Sequence, residues 1–418
     1  MERTTCLVVG GGPAGMVLGL LLARGGVEVT VLEKHADFLR DFRGDTVHAS
    51  TLTLLDELGL GPAFEQVPHQ KVDRIEALLE GGEKAPLADL SRLPGAHKHI
   101  AMVPQWDFLD LLADAGRLEP SFSLRMNTEV TGITKRGNRV TGVTYRDRVG
   151  GGTGEIAADL VVAADGRSSI LRAAVELPVH RFGAPMDVWW FRLPRNESDE
   201  VRGGAGRFSA GSALILIPLG EYFQCAFLIR KGTDRQLRAE GVEKFRERVV
   251  TLVPWLADRV GHVESLDDAK LLDVKLDRLR RWHVNGLLCI GDAAHAMSPI
   301  GGVGINLAVQ DAVATARLLA KPLREGTLTG AALAKVRRRR LFPTAVIQTA
   351  QRVIQNLFLK RVVEGGATIS SSGVPVPLRL ARRFPLLQAV PAYMVAIGPR
   401  PEHAPDFARR APQTIVRS

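Results

Sequence analysis

A glycine-rich turn near the start of the chain has the residue types and the spacing that bind a dinucleotide. Gly10, Gly12 and Gly15 follow the apolar run Cys6–Val9, and Glu33 ends the next apolar run. In such a turn the first glycine permits a tight bend, the second lets the backbone approach a diphosphate, and the third lets helix and strand pack closely. The diphosphate then lies on free N–H groups at a helix start. Glu33 can accept hydrogen bonds from a ribose diol, and its charge disfavours a 2′-phosphate there.

Two further motifs each follow an apolar run that is typical of a buried strand. They are Asp165-Gly166-x-x-Ser169-x-x-Arg172 and Gly291-Asp292-Ala293-Ala294-His295. Taken alone, Asp165 is also a common helix cap, and Gly291-Asp292 is also an ordinary turn. Asp292 is suited to accept hydrogen bonds from ribityl hydroxyls. The motif continues to Pro299, Gly301, Gly302, Gly304 and Asn306, and its glycines allow backbone N–H groups to face the far end of a bound cofactor.

The elements that must position these motifs follow an α/β pattern at both ends of the chain. A strand over Cys6–Val9, a helix over Met16–Arg24 and a strand over Val27–Glu33 form a βαβ unit. The pattern returns with a strand over Gly286–Ile290 and a helix around Ile305–Leu319. The sequence therefore predicts a nucleotide-binding domain assembled from separate pieces of the chain.

The middle of the chain has a different pattern. Residues 189–191, 214–219 and 222–229 read as antiparallel strands, whereas residues 71–100 are mixed, with loops at the prolines. After the second α/β segment, two helical stretches are predicted over 331–340 and 345–363. A mostly β insertion between the pieces of the nucleotide-binding domain is expected, with the active site at their junction.

The three motifs, in this order and at this spacing, resemble the class A flavoprotein monooxygenases, the p-hydroxybenzoate hydroxylase-like aromatic hydroxylases. The resemblance covers roughly residues 4–320. The middle of the chain agrees with the family only in its position and its pattern of predicted strands, and not in a motif. It implies an α/β fold with a discontinuous Rossmann-like FAD-binding domain of the glutathione-reductase type, an inserted, mostly antiparallel β substrate domain, and C-terminal helices. The implied FAD domain covers 1–70, 101–177 and 276–345, the substrate domain 71–100 and 178–275, and a basic helical region and tail 346–418.

The resemblance also assigns site residues. The implied FAD-binding residues are Gly10, Gly12, Pro13, Ala14, Gly15, Glu33, Lys34, Arg43, Gln105, Val130, Asp165, Asp292, Pro299, Gly302, Gly304, Ile305 and Asn306. Arg43 and Arg172 are the residues expected to handle NAD(P)H. Taken alone, Arg43 could equally form a surface ion pair, and Gln105 could simply begin a helix.

The activity that the resemblance implies is hydroxylation of an aromatic or polyketide-like small molecule. NADPH or NADH would reduce FAD, and O₂ would then form a C4a-hydroperoxyflavin that delivers one oxygen atom. No catalytic residue is assigned; His48, Tyr222 and Pro299 are the candidates. Epoxidation, Baeyer–Villiger insertion and prenyl-chain reduction remain open, whereas the adjacent Trp189 and Trp190 do not match the spaced tryptophans of flavin halogenases.

Charge is distributed unevenly along the chain. Residues 331–418 contain 15 lysines and arginines against 3 acids, whereas the first 330 residues are nearly balanced. A solvated arginine-rich helical face explains this more simply than nucleic-acid binding, because no aromatic residues are interleaved. A colourless surface-binding protein that contacts an anionic membrane or a nucleic acid through this region is the alternative of a different class.

Composition excludes several classes of protein. The 3 cysteines lie far apart, so a disulfide framework is not expected. The expected location of the protein is therefore the reducing cytoplasm. The uncharged stretch Cys6–Ala23 is broken by Gly10–Pro13, so neither a spanning helix nor a signal peptide is predicted. No metal site is expected. The expected oligomeric state is a monomer or a homodimer.

Overall fold

The computed structural model describes residues 2–39, 46–78, 84–199, 201, 203–209, 211–365 and 388–412. The strands are β1 Glu2–Val9, β2 Val29–Leu32, β3 Thr46–Val47, β4 Gln70–Val72, β5 Arg74–Leu78, β6 Lys84–Asp89, β7 Ile100–Met102, β8 Phe122–Arg125, β9 Thr128–Arg136, β10 Arg139–Asp147, β11 Thr153–Ala163, β12 Val179–Arg181, β13 Met186–Pro194, β14 Gly204–Ser209, β15 Ser212–Leu219, β16 Tyr222–Arg230, β17 Lys270–Leu272, β18 Asp277–Leu279, β19 His283–Val284 and β20 Leu287–Cys289.

Helices cover the sheets and follow the last strand. They are α1 Pro13–Arg24, α2 Ala49–Glu57, α3 Gly61–Glu65, α4 Gln105–Arg117, α5 Ile170–Ala174, α6 Asp234–Ala239, α7 Val242–Leu252, α8 Val303–Arg324, α9 Gly330–Ile354, α10 Lys360–Val363 and α11 Ala389–Ala396.

The first sheet carries all three motifs. Its order is β19-β20-β11-β1-β2-β8, with β10 paired to β11 and β9 to β10. Strands β20, β11, β1, β2 and β8 run parallel. The paired stretches of β20, β11, β1 and β2 are near-continuous apolar runs because both of their faces are covered. Helix α1 packs beside α4 and α8. Since the carboxyl ends of parallel strands meet at one edge, the motifs after β1, β11 and β20 lie side by side there.

The second large sheet is formed mainly by the middle of the chain. Its order is β17-β13-β16-β15-β14-β5-β6, antiparallel except for the pair β14 and β5. Alternate residues of its strands build two different cores. One packs against α7 through Phe245 and Val249, and the other packs against the end of a π-helical turn and α10 through Leu359 and Val362. The α/β fold with an antiparallel insertion is therefore confirmed, while the domain boundaries given above remain a proposal.

Two predicted elements differ from the structure. At Pro86 the structure has a strand in place of the predicted loop, because β6 is an edge strand of the sheet, where proline is tolerated. The predicted helices 331–340 and 345–363 are one helix, α9, which contains Pro343 and continues through a π-helical turn, Gln355–Leu359, into α10. Proline removes only one backbone donor, and buried Val336 and Ile347 on either side keep the helix packed.

All 3 cysteines are buried free thiols, and burial raises their pKa, so they pack as small apolar side chains. Within the described residues, no helix has both the length and the apolar character needed to cross a membrane. The same part of the chain holds no group of three or more His, Cys, Asp or Glu side chains arranged for a metal ion.

Candidate active site

The glycine turn between β1 and α1 has the geometry that a dinucleotide requires. Gly10 has φ +108°, and a Cβ there would lie 2.5 Å from the Ala164 carbonyl oxygen. A Cβ at Gly15 would lie 1.9 Å from the Gly10 carbonyl oxygen. A Cβ at Gly12, in contrast, would meet nothing within 4 Å. Gly10 and Gly15 thus allow strand and helix to approach, whereas Gly12 leaves open space above the turn.

The start of α1 is prepared for an anion. Gly12 is its N-cap, no side chain caps the helix, and the first turn contains no acid. The first N–H groups of a helix have no partner within the helix, and its dipole favours negative charge at this end. Gly12, Pro13 and Ala14 line a large cavity. A diphosphate therefore fits the turn.

Glu33 follows β2 and supports the same turn. Its carboxylate accepts the Gly11 N–H at 3.0 Å and the His35 N–H at 3.1 Å, and the side chain is 9% exposed. This acid therefore holds the glycine turn in place, and its contact with a ribose remains a prediction.

The cavity beside the turn has a volume of about 1360 Å³ and extends to the second large sheet. It is lined by these predicted FAD-binding residues: Gly12, Pro13, Ala14, Lys34, Gln105, Asp165, Asp292, Pro299, Gly302, Gly304 and Ile305. Residues from widely separated parts of the chain therefore meet around one space, which adjoins the helix start and reaches an apolar sheet surface.

Two unpartnered polar atoms mark the cavity wall between the second and third motifs. Arg167 binds Asp292 at 3.0 Å, but its Nη1 is buried without a hydrogen-bond partner among the described residues. Asp165 accepts the Ile170 N–H on Oδ2 at 3.0 Å, while its Oδ1 is likewise buried and unpartnered. Burial raises the pKa of Asp165. Buried polar groups normally have partners, so these atoms fit a wall that a polar cofactor completes.

The glycine segment before α8 forms the opposite wall. Gly301 has φ +76° and Gly302 φ +64°, a backbone region that favours glycine. The Gln351 side chain binds both the N–H and the carbonyl oxygen of Ser298, at 3.2 and 2.9 Å, and Gln355 donates to the Ser298 hydroxyl at 2.7 Å. Helix α9 and the π-helical turn therefore hold this segment rigidly against the cavity.

Some predicted site residues lie away from the cavity lining. Val130 is buried in β9, and Arg172 bonds to the Arg167 and Ala293 carbonyl oxygens. Asn306 accepts the Ser50 and Thr51 hydroxyls and is 3% exposed. Gly10 and Gly15 act through packing, as above. Roles for these residues remain predictions, and Arg43 lies outside the described residues.

The three catalytic candidates are placed differently. Pro299 lines the cavity, whereas Tyr222 packs beneath the Arg192 guanidinium. His48 is fully buried, with Nδ1 2.9 Å from the Val395 carbonyl oxygen and Nε2 3.1 Å from that of Gly302. His48 thus joins α11 to the glycine segment before α8, and neither His48 nor Tyr222 lines the cavity.

His48 gives a pH-dependent prediction. Burial lowers its pKa to about 4, whereas the unfolded chain has the ordinary value of 6.5. The unfolded state therefore binds the proton more readily, so the stability that neutral His48 contributes is complete above pH 6.5 and is lost as the pH falls toward 4. Between pH 8 and pH 5 this group should cost about 2 kcal/mol. Urea unfolding should show that loss in the wild type and not in His48→Asn, and equal losses in both proteins would contradict the assignment.

Asp292 gives a binding prediction. Its carboxylate lines the cavity, whereas Asp165 also accepts backbone N–H groups at the start of α5. Asp292→Ala should weaken FAD retention by about tenfold, the effect of losing one charged hydrogen-bonding group. Asp165→Ala should weaken FAD retention less, because part of the effect of losing Asp165 is a less stable start of α5. Flavin absorbance after gel filtration measures both, and full occupancy in the two variants would refute the prediction.

Sequence reasoning missed several residues around this cavity. Arg167 lies between two motif positions, and Gln351 and Gln355 lie beyond all three motifs. Of the two adjacent tryptophans, Trp190 lines the cavity, whereas Trp189 is buried toward α7 and donates to Asp234 at 2.7 Å. The strand period of two explains why neighbouring tryptophans face different sides.

The chain is similar in sequence to known proteins over most of its length. A family model described as an FAD binding domain matches residues 3–350. A 6-methylpretetramide 4-monooxygenase from Streptomyces rimosus is 34% identical over 391 residues, which cover 93% of this chain and 91% of the relative. A 12-dehydrotetracycline 5-monooxygenase/anhydrotetracycline 6-monooxygenase from Streptomyces rimosus subsp. rimosus is 29% identical over 329 residues, covering 74% of this chain and 61% of that relative.

A solved structure shows the same fold. The p-nitrophenol 4-monooxygenase PnpA from Pseudomonas putida DLL-E4 has a TM-score of 0.72 and 20% identity, covering 94% of this chain and 98% of that one. At this identity the likeness concerns the arrangement of sheets and helices, which is the arrangement that encloses the cavity here.

Proposed function

Because the chain belongs to the FAD-dependent aromatic monooxygenases, the class A flavoprotein monooxygenase family, we propose that it hydroxylates a planar, multi-ring aromatic polyketide. The chain is an FAD-dependent monooxygenase that uses NAD(P)H and O₂. We propose the class of substrate, and we propose which residues bind the substrate and FAD.

One observation carries the proposal. A single cavity runs from the open glycine turn at the start of α1 to the apolar face of the second large sheet. Its volume of about 1360 Å³ exceeds the 300–1,000 Å³ typical of one small-molecule pocket. The cavity therefore has room for a dinucleotide cofactor at one end and a separate apolar substrate at the other, without a wall between them.

The residues around the cavity divide the work of binding. The N–H groups at the start of α1 bind the diphosphate, and Asp292 accepts hydrogen bonds from the cofactor's hydroxyls. The segment Pro299–Gly304 lines the cavity, is held by Gln351 and Thr46, and would border the reactive ring of bound FAD. Bound FAD supplies the redox chemistry between NAD(P)H and O₂. Apolar side chains of the sheet exclude water from the space where oxygen is transferred.

The relatives support the substrate class. One is named for 6-methylpretetramide and another for dehydrotetracycline and anhydrotetracycline. We propose that this chain acts on a molecule of that size and planarity, because the far end of its cavity is walled by Met186, Val188 and Leu228. The choice between NADH and NADPH stays open.

The test follows oxygen and electrons together. FAD-loaded protein is incubated with NADPH or NADH, ¹⁸O₂ and 6-methylpretetramide or anhydrotetracycline as probes. The expected result is faster nicotinamide oxidation with the probe than without it, and a product carrying one ¹⁸O atom per nicotinamide consumed. A product that is reduced and contains no ¹⁸O would contradict hydroxylation, and a product with an enlarged ring would indicate Baeyer–Villiger insertion.

Other predictions rest on sequence alone. A cytoplasmic location, a monomer or homodimer, the absence of nucleic-acid binding, and contact between the basic C-terminal region and an anionic surface remain proposals. Arg43 and Arg172 remain proposed NAD(P)H residues.

A further inference from the structure

A second, smaller cavity lies beside the helix segment that borders the large one. Its volume is about 420 Å³, which is within the range of a small-molecule pocket. Ile354 and Leu359 line the large cavity, whereas Gln355 and Lys360 line the small one. The π-helical turn therefore stands between the two cavities, and such turns occur frequently at functional sites.

The small cavity is rich in positive charge. Four cations line this basic pocket: Arg230, Lys231, Arg352 and Lys360. The acid in the same lining is Glu364. Lys231 is neutralised by Asp187 and Asp273, at 2.7 and 2.5 Å. The side chains of the other three cations form no ion pair and no hydrogen bond with any residue that the structure describes. Three exposed cations therefore face the pocket without a partner.

Further positive charge lies behind the pocket wall. The Phe182 ring lines the pocket and lies 4.7 Å from the Arg352 guanidinium and 5.4 Å from that of Arg278. Burial and the charges of Arg337 and Arg352 lower the pKa of Arg278. Arg337 Nε is itself buried without a hydrogen-bond partner among the described residues. These arginines repel one another, so a bound anion would relieve the repulsion.

The basic pocket adjoins the segment that is expected to border the flavin ring. Gln355, in the pocket wall, donates to the Ser298 hydroxyl at 2.7 Å, and the next residue, Pro299, lines the large cavity. Arg172, which the family resemblance assigns to NAD(P)H, is instead engaged by Asp277 and two carbonyl oxygens. Free cations close to the reactive end are therefore offered by the basic pocket.

We propose that the basic pocket binds the 2′-phosphate of NADPH through Arg230, Arg352 and Lys360, so that the enzyme prefers NADPH to NADH. The reaction uses two phosphate-bearing molecules, and the start of α1 accounts for the diphosphate of FAD. An arginine offers a phosphate two parallel N–H donors, and a lysine offers a compact charge. This inference extends the proposed function, which leaves the electron donor open, and it does not depend on the aromatic substrate.

The test compares NADPH with NADH as electron donors to FAD-loaded protein in the absence of oxygen. Loss of flavin absorbance gives a limiting reduction rate and a half-saturating concentration for each donor. In wild-type protein the half-saturating concentration should be at least about tenfold lower for NADPH than for NADH. Arg352→Met and Lys360→Met should each raise the NADPH value about tenfold, while the NADH value and the limiting rate stay unchanged.

Arg361→Met is the matched control, because Arg361 is exposed beside Lys360 and lies outside the lining of both cavities. It should keep the wild-type values. Arg352→Met and Lys360→Met should keep full FAD occupancy, which separates the loss of a binding cation from a damaged fold. Equal half-saturating concentrations of the two donors in the wild type, or an unchanged NADPH value in both variants, would overturn the role of the pocket while the proposed function stands.

Competition with NADPH shows which part of the nucleotide the pocket binds. Adenosine 2′,5′-bisphosphate should compete about tenfold more strongly than adenosine 5′-monophosphate in the wild type, and Lys360→Met should lose that difference. Inorganic phosphate that competes as strongly as the bisphosphate would indicate a site for free anions and would overturn the assignment to NADPH. If neither donor reduces the flavin in the wild type, the flavoprotein activity is contradicted together with the role of the pocket.

Discussion

Gly12→Leu should abolish FAD binding while leaving the protein folded. Gly12 has φ −73° and ψ −179°, a conformation open to any residue, and a Cβ there meets nothing within 4 Å. The leucine side chain would therefore fill the space above the start of α1 where the diphosphate binds. We expect FAD affinity to fall at least about 100-fold, equivalent to about 2.7 kcal/mol. Titration of the apoprotein with FAD, followed by flavin fluorescence, measures the change.

Gly152→Leu is the control for this substitution. Gly152 is exposed in a loop, a Cβ there also meets nothing within 4 Å, and it lies outside the cavity lining. It should bind FAD as the wild type does. Gly15→Leu, whose Cβ would lie 1.9 Å from the Gly10 carbonyl oxygen, should instead lose the fold. Normal FAD affinity in Gly12→Leu would place the diphosphate elsewhere.

Arg340→Met should destabilise the protein by about 3–5 kcal/mol, the usual cost of leaving a buried charge without its partner. Arg340 is fully buried, with Nε 3.0 Å from Asp311 Oδ1 and Nη1 3.4 Å from Glu402 Oε1. Burial alone would raise the pKa of Asp311, but its contacts with His295 and the Arg340 guanidinium hold that pKa below its ordinary value. Removing Arg340 therefore takes the arginine partner from the buried Asp311 carboxylate, whereas Glu402 keeps its contacts with Arg339 at 2.6 and 2.7 Å.

The Arg340 network also reaches the cofactor site. Asp311 Oδ2 accepts the Gly291 N–H at 3.1 Å and contacts His295 Nε2 at 2.5 Å, so it fixes the residue before Asp292. Urea unfolding of Arg340→Met should show the loss of stability, accompanied by weaker FAD retention. The exposed neighbour Arg338→Met should stay within about 0.5 kcal/mol of the wild type. Equal unfolding free energies in the two variants would contradict a central role for the network.

The cofactor end of the cavity could be predicted because its determinants are local. A glycine triplet between a strand and a helix has few conformations, and Gly10, Gly12 and Gly15 each occupy the place that their spacing indicates. The same holds for Asp165 and Asp292, since each directly follows a buried strand of one parallel sheet. The period of the apolar residues and the residue types in turns are enough to predict local structure where neighbours in the sequence determine it.

The remainder depends on contacts between distant parts of the chain. Arg167 meets Asp292 across 125 residues, and Arg340 meets Glu402 across 62. A single sequence contains no signal for such pairs. The sequence leaves His48 open as a catalytic base, but the carbonyl oxygens of Gly302 and Val395 lie against its two ring nitrogens, and only the folded chain brings them together. Which of Trp189 and Trp190 faces the cavity likewise depends on where α7 packs.

A crystal structure of the protein with FAD would show directly where the cofactor binds. Density is expected for the diphosphate at the start of α1, for the ribityl chain beside Asp292, and for the isoalloxazine ring beside Pro299–Gly304, with the apolar sheet across from the ring. Density for FAD outside this cavity, or a diphosphate away from Gly12, would contradict it.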